Sequence, residues 1–197
     1  MFTGIIESLG TVEEITLRGT NKVFTISSSI SSDLKIDQSL SHNGVCLTVT
    51  AIENARHLVT AIDETLKRSN MGYLQVGHTV NLERAMSGLS RFDGHLVQGH
   101  VDTVGKVISI TDKDGSWIFT FSYPEENKHL LVDKGSVCIN GVSLTVVNPT
   151  DSTFQVAIIP YTFEHTTFKE LKTSDAVNLE FDILGKYIAR YASAYKL

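Results

Sequence analysis

Apolar and small polar residues alternate over a ten-residue stretch of this chain, and the pattern returns in the second half. The first copy is SHNGVCLTVT at residues 41–50, and the second is INGVSLTVVN at residues 139–148. Asn-Gly followed by such alternation is typical of a tight turn that enters a β-strand. Because side chains alternate between the faces of a strand, Val45 is predicted to face a core and Cys46 the opposite, polar face. That polar face is either exposed to solvent or, since both copies carry small hydrogen-bonding groups there, a ligand surface.

The repeat extends beyond these two stretches. The sequence VNLE occurs at residues 80–83 and again 97 residues later at 177–180, whereas Gly10 and Gly105 match at an offset of 95. A two-residue insertion explains the change of offset. A period near 97 residues is too long for a solenoid, so it indicates a duplicated domain.

Short strands separated by turn residues are predicted in each half. In the first half they cover residues 4–15, 22–27, 39–42, 45–53, 57–62 and 79–83. Helical segments are expected at residues 31–36, at 64–72 with Gly72 at the helix end, and at 125–132. Closely spaced short strands favour a small closed barrel, because closure leaves no exposed edge. The chain is therefore predicted to be all-β, with barrels at residues 1–87 and 94–184 and a link at 87–93.

The C-terminal residues have no counterpart in the first half. Apolar and aromatic residues recur there at helical spacing, namely Leu184, Tyr187, Ile188, Tyr191 and Tyr195, and Asp182 is a candidate N-cap. A helix of about four turns is marginal alone in water, so its apolar stripe must dock. The pattern fits docking on the parent domain and docking on the same helix of another subunit. We assign residues 185–197 to this helix.

Composition narrows the class of protein. The 197 residues include 42% hydrophobic and 20% charged residues, as in an ordinary globular protein. The formal net charge of −5 and the lack of a basic run argue against nucleic-acid binding. Two cysteines do not make a disulfide framework, and neither a secretory signal nor a long apolar run is recognisable. We therefore expect a cytoplasmic protein that does not associate with membranes.

The segment GHLVQGHVD at residues 94–102 carries two histidines. In a strand their five-residue separation would put His95 and His100 on opposite faces, and no further ligand spacing completes a metal site, so no metal is predicted. Residues 99–101 align with residues 4–6 at the N-terminus. A structural histidine is the ordinary interpretation of His100. Its place beside Gly99, which permits close backbone approach, favours ligand contact or proton transfer.

Cys46 and Lys134 are the other reactive candidates. A cysteine in a strand is most often a small buried hydrophobe, but the position of Cys46 on the polar face equally fits a functional role. Lys134 precedes the second hairpin and is either an anchor for an anionic or polar ligand or part of a solvated turn. Rossmann, P-loop and nucleophile-elbow motifs do not occur in the sequence.

Four segments, in this order, resemble the riboflavin synthase family. They are MFTGI at the N-terminus, NGVCLTVT after the first turn, GHLVQGHVD at mid-chain and NGVSLTV in the second half. The resemblance covers the whole chain and departs at Ser41 and His42, where a small apolar residue would come first. It implies two six-stranded Greek-key barrels, each binding one 6,7-dimethyl-8-ribityllumazine. The implied reaction is a dismutation in which one lumazine gives a four-carbon unit to the other. The products are riboflavin and 5-amino-6-(D-ribitylamino)uracil, and no cofactor or metal takes part.

The resemblance also implies an assembly. The family is homotrimeric through its C-terminal helices, and the N-terminal barrel of one subunit forms the active site with the C-terminal barrel of a neighbour. Lumazine synthase is a further candidate partner.

The resemblance assigns one pocket to each half. The predicted first pocket consists of Cys46, Leu47, Thr48, Thr60, Ala61, Ile62, Asp63, Glu64, Thr65, Gly99, His100 and Val101. The predicted second pocket consists of Gly4, Ile5, Ile6, Lys134, Ser143, Leu144, Thr145, Ile158, Ile159, Pro160, Tyr161, Thr162 and Phe163. Residues 4–6 of the first half thus belong to the second pocket, and residues 99–101 of the second half belong to the first. Cys46, His100 and Ser143 are the predicted catalytic residues.

A binding protein is the competing function. Similar barrels carry a lumazine or a flavin as an optical antenna and do no chemistry, and an antenna needs tight binding at one barrel only. This chain keeps both predicted pockets, which favours an enzyme. A flavoprotein reductase barrel without its nucleotide domain would leave the second copy unexplained.

Overall fold

Each half of the chain forms a six-stranded antiparallel barrel in the computed structural model, which describes residues 1–88 and 91–195. The strands of the N-terminal barrel are β1 (Ser8–Arg18), β2 (Asn21–Ser28), β3 (Ser39–His42), β4 (Val45–Glu53), β5 (Arg56–Ala61) and β6 (Thr79–Arg84). Their order around the barrel is β1-β2-β5-β4-β3-β6, and pairing of β1 with β6 closes it. The run β2-β5-β4-β3 is a Greek key, so the predicted barrel is confirmed.

The C-terminal barrel repeats this order with its own six strands. They are β7 (Thr103–Asp112), β8 (Trp117–Ser122), β9 (Ser136–Ile139), β10 (Val142–Thr145), β11 (Thr153–Ile158) and β12 (Ala176–Phe181), arranged β10-β9-β12-β7-β8-β11. An isolated bridge between Val147 and Gln155 nearly closes the gap between β10 and β11.

Short helices lie at the same places in both halves, and one longer helix follows the second half. The α-helices are α1 (Asp63–Arg68), α2 (Pro160–His165) and α3 (Ile183–Tyr195), and the 3₁₀ turns are Ser31–Asp33, Asn70–Tyr73, Glu125–Leu130 and Thr167–Glu170. The helical segments predicted at 31–36 and 125–132 are therefore only 3₁₀ turns, and shorter than expected. Of the predicted link at 87–93, Leu89 and Ser90 lie outside the described residues, as do Lys196 and Leu197 of the predicted helix at 185–197.

The single helix predicted at residues 64–72 was wrong. Helix α1 ends at Arg68, and Ser69 adopts an extended conformation with φ −136°. The Ser69 hydroxyl oxygen accepts a hydrogen bond from the Met71 N–H and so starts a separate 3₁₀ turn, which contains Gly72. Serine competes with the helix by capping locally, and this explains the break.

The first strand begins at Ser8, not at residue 4 as predicted, because residues 2–4 leave their own barrel. Gly4 has φ +80°, a conformation suited to glycine, and its carbonyl accepts the Ser143 N–H at 2.8 Å. Ile6 packs against the core of the C-terminal barrel. In the same way Val101 packs against the core of the N-terminal barrel. The predicted exchange of the two segments is thus present in the structure.

The two Asn-Gly turns meet where the barrels join. A Cβ atom on Gly44 would lie 2.8 Å from the Gly141 backbone nitrogen, so only glycine fits this approach. Around the glycines, Asn178 Nδ2 donates to the Asn43 carbonyl and Asn81 Nδ2 donates to the Asn140 carbonyl, both at 2.8 Å. The repeated motifs therefore build a nearly twofold-symmetric interface.

Helix α3 follows the last strand with one apolar face uncovered. The Asp182 carboxylate accepts the Leu184 N–H at 3.0 Å, which confirms the predicted cap. Leu184, Tyr187, Ile188, Tyr191 and Tyr195 are all exposed. Among the described residues, no helix is long and apolar enough to span a membrane.

Candidate functional site

Cys46 lies on β4, on the wall of a cavity of about 190 Å³ in the N-terminal half. The strand alternation that buries Val45 and Leu47 leaves Cys46 half-buried on the other face, as predicted. Residues 99–101 form the adjoining wall, since the Gly99 carbonyl accepts the Cys46 N–H at 2.9 Å. The remaining lining residues come from α1 and its C-terminus, namely Glu64, Thr65, Arg68 and Ser69. The structure thus brings six of the predicted first-pocket residues together: Cys46, Glu64, Thr65, Gly99, His100 and Val101.

The His100 imidazole stands at the exposed side of this cavity. Its backbone N–H donates to the Glu180 carboxylate at 2.8 Å, which fixes the backbone. A histidine in such a place is able to exchange protons with both solvent and a bound ligand.

Ser143 takes the place of Cys46 in the C-terminal half. It lies on β10, where its N–H donates to the Gly4 carbonyl at 2.8 Å. Its hydroxyl is 2.7 Å from His95 Nδ1, and His95 Nε2 is buried with no hydrogen-bond partner among the described residues. Burial lowers the pKa of His95, so the ring is neutral near pH 7. A neutral imidazole whose Nδ1 accepts the hydroxyl proton would make Ser143 a better base or nucleophile.

The corresponding helices α1 and α2 carry different side chains. In the N-terminal half, Glu64 and Arg68 form an exposed ion pair at the cavity rim. In the C-terminal half, Tyr161 stacks on His165 and Phe163 stacks on Trp117, with centroids 4.1 and 3.8 Å apart. Helix α2 therefore carries aromatic rings where α1 carries charges.

Three predicted binding residues have side chains inside the barrels. Leu47 and Ala61 belong to the N-terminal core and Ile158 to the C-terminal core, while Leu144 packs partly against the latter. Such residues can offer a ligand only their backbone.

The other predicted residues lie at or near the surface. Thr48, Ile62, Lys134, Thr145, Ile159 and Pro160 are exposed, Ile5 is nearly half exposed, and Thr60 and Thr162 are half-buried. Asp63 pairs with Lys67 on α1. Lys134 sits in a turn with φ +65°, and its N–H donates to the Val146 carbonyl.

Sequence reasoning missed four residues of these sites: Glu83, His95, Arg68 and Glu180. His95 was set aside with the metal hypothesis, and among the described residues no cluster of three metal-ligating side chains occurs. The two glutamates were visible as the last residue of the repeated VNLE motif, but their partners are far away in sequence.

Two larger cavities lie away from these residues. One of about 420 Å³ lies between the barrels beside Asn43 and Asn140, and one of about 500 Å³ lies under α3. Neither is lined by Cys46, His100, Ser143 or His95. The candidate site is therefore identified by the reactive residues that line the smaller cavity, and not by cavity volume.

Comparison with known proteins agrees with this architecture. The family model described as the lumazine binding domain matches twice, at residues 3–85 and 98–182. The riboflavin synthase of Actinobacillus pleuropneumoniae is 40% identical over 192 residues, which cover 97% of this chain and 89% of that protein. The riboflavin synthase of Bacillus subtilis is 38% identical with the same coverage, and that of Saccharomyces cerevisiae is 39% identical over 96% of this chain and 85% of its own length.

Solved structures share the fold at lower identity. LumP complexed with riboflavin has a TM-score of 0.86 at 22% identity, and LumP complexed with 6,7-dimethyl-8-(1'-D-ribityl) lumazine has a TM-score of 0.83 at 22% identity. Each match covers 92% of this chain and 99% of the other. With two matching domains and relatives near 40% identity over almost the whole length, the chain belongs to the riboflavin synthase family.

Proposed function

We propose that this protein is an enzyme that converts two molecules of 6,7-dimethyl-8-ribityllumazine into riboflavin and 5-amino-6-(D-ribitylamino)uracil. One observation carries the proposal: the duplicated scaffold presents two sites with unequal reactive groups. Cys46 and His100 line one cavity, and the hydrogen-bonded pair of Ser143 and His95 lies at the corresponding strand of the other half, which we propose as the second site. A dismutation needs a donor and an acceptor, and unequal sites can treat two identical molecules differently.

The chemistry requires proton transfers more than it requires strong electrophiles. The 7-methyl group of the lumazine is acidic, because its anion is delocalised into the ring. A modest base near the ring is therefore sufficient, and His100 at the cavity edge and neutral His95 behind Ser143 are suited to this. Cys46 or the Ser143 hydroxyl is then available for addition to the ring or for proton relay.

Holding the two rings together supplies the rest of the acceleration. Placing two reactants in a productive arrangement contributes at most about 7–11 kcal/mol to lowering the barrier. The cavity at Cys46, about 190 Å³, is smaller than a typical pocket that encloses a whole ligand. Part of the bound molecule would remain uncovered at its mouth, where a second ring can stack on it.

We propose that the second ring is presented by a neighbouring subunit of a homotrimer. Among the described residues, Ser143 does not line the cavity that Cys46 lines, and the stripe on α3 is exposed in the single chain. Truncation after Asp182 should therefore give a smaller particle and strongly reduced turnover. A truncated protein that sediments as a trimer would remove this role from α3.

A second candidate is a non-catalytic antenna. It is favoured by the fold shared with LumP, which is solved with lumazine, riboflavin and flavin mononucleotide bound. An antenna would purify with a strongly fluorescent ligand and leave added lumazine unchanged.

Incubation of the purified protein with the lumazine separates the two candidates. An enzyme should convert it to riboflavin, followed by absorbance, with two lumazines consumed for each riboflavin formed. Stable fluorescence without riboflavin would favour the antenna. From the family resemblance we further propose a cytoplasmic location, and co-sedimentation would test lumazine synthase as a partner.

A further inference from the structure

Two buried carboxylates occupy the same position in the two barrels. Glu83 ends the VNLE motif on β6 and Glu180 ends it on β12, and their residues are only 3% and 2% exposed. Neither carboxylate takes part in a salt bridge with the described residues 1–88 and 91–195. Burying a carboxylate is costly unless hydrogen bonds compensate it, so these groups need partners.

The partners of each carboxylate belong to the segment that its own half extends to the other barrel. Glu180 accepts the N–H groups of Gln98, Gly99 and His100 at 2.6, 2.9 and 2.8 Å. Glu83 accepts the N–H and hydroxyl of Thr3 at 2.6 and 2.7 Å and the Gly4 N–H at 2.9 Å. Hydrogen bonds to a charged acceptor are the stronger kind, and three converging on one group fix a short segment firmly.

Residues 98–100, which Glu180 holds, lie in direct contact with Cys46. Beyond the hydrogen bond between the Cys46 N–H and the Gly99 carbonyl, a Cβ atom on Gly99 would lie 2.6 Å from Cys46 Cβ. Gly99 has φ +80°, which turns the chain so that His100 follows at the cavity edge. Glu180 thus stands on the C-terminal barrel but controls a wall of the N-terminal site.

We infer that Glu180 is a positioning residue for the Cys46–His100 site, and that Glu83 has the same task at the Ser143 site. The carboxylate holds residues 98–100 at the distance from β4 at which Cys46 and His100 face one ligand. Each barrel therefore depends on the last strand of the other for the shape of its pocket. The catalytic meaning of this role rests on the proposed function, whereas the geometric role does not.

A different explanation would give the same contacts. The two carboxylates could serve only to join the barrels, in which case removing either one would loosen the whole molecule equally. The two explanations differ in where the effect of a single substitution appears.

Alkylation of Cys46 reads out the N-terminal site alone. Cys46 is half-buried at the cavity, whereas Cys138 is buried on β9 opposite Glu180 and reports opening of the joint between the barrels. The variants are Glu180→Gln, which replaces one acceptor oxygen by a donor group, and Glu83→Gln, the matched control at the same position of the other barrel. Iodoacetamide labelling is followed at each cysteine by peptide mass spectrometry, with and without riboflavin.

In Glu180→Gln, losing one charge-assisted hydrogen bond should raise the alkylation rate of Cys46 about tenfold and weaken protection by riboflavin. Glu83→Gln should leave the Cys46 rate within about twofold of the wild type, since its segment lies at the other site. Both variants should lower kcat. If Glu180→Gln does not fold, Glu180→Asp keeps the charge, shortens the reach and should give the same selective increase.

An unchanged Cys46 rate in Glu180→Gln or Glu180→Asp would overturn the inference. So would equal increases in the Glu180 and Glu83 variants accompanied by labelling of Cys138, which is the pattern of a purely structural joint. Labelling needs no turnover, so the inference can fail while the wild type still makes riboflavin. Conversely, the wild type can fail to make riboflavin while the labelling pattern holds.

Discussion

The N-terminal and C-terminal barrels place identical residues where they meet and different residues where they are reactive. Asn43 and Asn140 match, and so do Gly44 and Gly141 and the two VNLE motifs, which supply the interface and the clamping carboxylates. Two residues past each glycine, the chains diverge to Cys46 and Ser143. The difference separates what holds the scaffold from what acts on the ligand.

The barrel interiors differ as well. His42 and His57 are buried in the N-terminal barrel, where Ile139 and Phe154 stand at the corresponding positions of the C-terminal barrel. His42 Nδ1–H is assigned as donor to the Leu40 carbonyl, which leaves its Nε2 to accept from His57 Nε2–H at 3.0 Å. His57 Nδ1 then accepts the Ser31 hydroxyl proton at 2.8 Å. The hydrogen bond between the two Nε2 atoms needs one of them as acceptor, so it is lost when both rings are protonated.

The largest loss of activity is expected from substitutions at the N-terminal site. Cys46→Ala and His100→Ala should each lower kcat about 10- to 1000-fold, as expected for lost help in proton transfer. Ligand affinity, measured by quenching of lumazine fluorescence, should change much less. Variants that turn over at the wild-type rate would make both residues packing groups and leave catalysis to the pairing of the rings.

Acid should destabilise the N-terminal barrel selectively. Burial is the main influence that lowers the pKa of His42 to about 3, with His57 adding to it, and burial lowers the pKa of His57 to about 4. Because both rings take up protons near pH 6.5 when unfolded, stability is lost as the pH falls from 6.5 towards 4. The expected loss is about 2.7 kcal/mol per pH unit for the two together, or roughly 100-fold in the unfolding constant.

Hydrogen exchange read by mass spectrometry at several pH values would locate this loss. The control is His42→Ile with His57→Phe, the residues that the C-terminal barrel carries. It should flatten the pH dependence of β3 and β5, whereas equal slopes in the control and the wild type would contradict the assignment.

At the C-terminal site, Ser143→Ala and His95→Gln should act as one unit. Each should lower kcat by about 10- to 100-fold, and the double variant should be little worse than either, since each removes the same hydrogen-bonded pair. Steady-state rates of the three variants complete the cycle. Additive losses would show that the 2.7 Å contact between His95 and Ser143 has no joint role.

The smallest effect on the kinetics is expected from the exposed residues of α1 and α2. Arg68→Ala removes the exposed ion pair with Glu64 and should raise KM by about threefold or less, because such pairs contribute little. Replacing His165 by Ala at the corresponding position leaves the N-terminal rim intact and serves as control. A large fall in kcat for Arg68→Ala would assign Arg68 to the chemistry.

The sequence predicted the repeating elements better than their long-range contacts. Strands β3 and β4 were predicted to the residue, because the Asn-Gly turn and strict alternation mark both their ends. The helix break at Ser69 was missed, since a serine within a helical pattern does not reveal that its hydroxyl caps the next turn.

The candidate site was predicted mainly through the family resemblance. The resemblance implied the exchanged segments and placed His100 in the same pocket as Cys46, and the alignment of residues 4–6 with 99–101 agreed with it. Glu180 and His95 escaped because a terminal strand carboxylate and a loop histidine look solvent-exposed in sequence, and their partners lie 82 and 48 residues away. Only tertiary structure supplies the burial that gives these groups their role.

We propose that two unequal barrels, contributed by neighbouring subunits, form one catalytic site. Cys46→Ala and Ser143→Ala chains, mixed in equal amounts, unfolded and refolded together, test it most directly through the initial rate of riboflavin formation. The Ser143→Ala chain supplies an intact N-terminal barrel and the Cys46→Ala chain an intact C-terminal barrel. Random assembly joins these two in about a quarter of the sites, so about a quarter of the wild-type rate should return. A chain carrying both substitutions should regain nothing, and a mixture no faster than the mean of its two components would contradict the account.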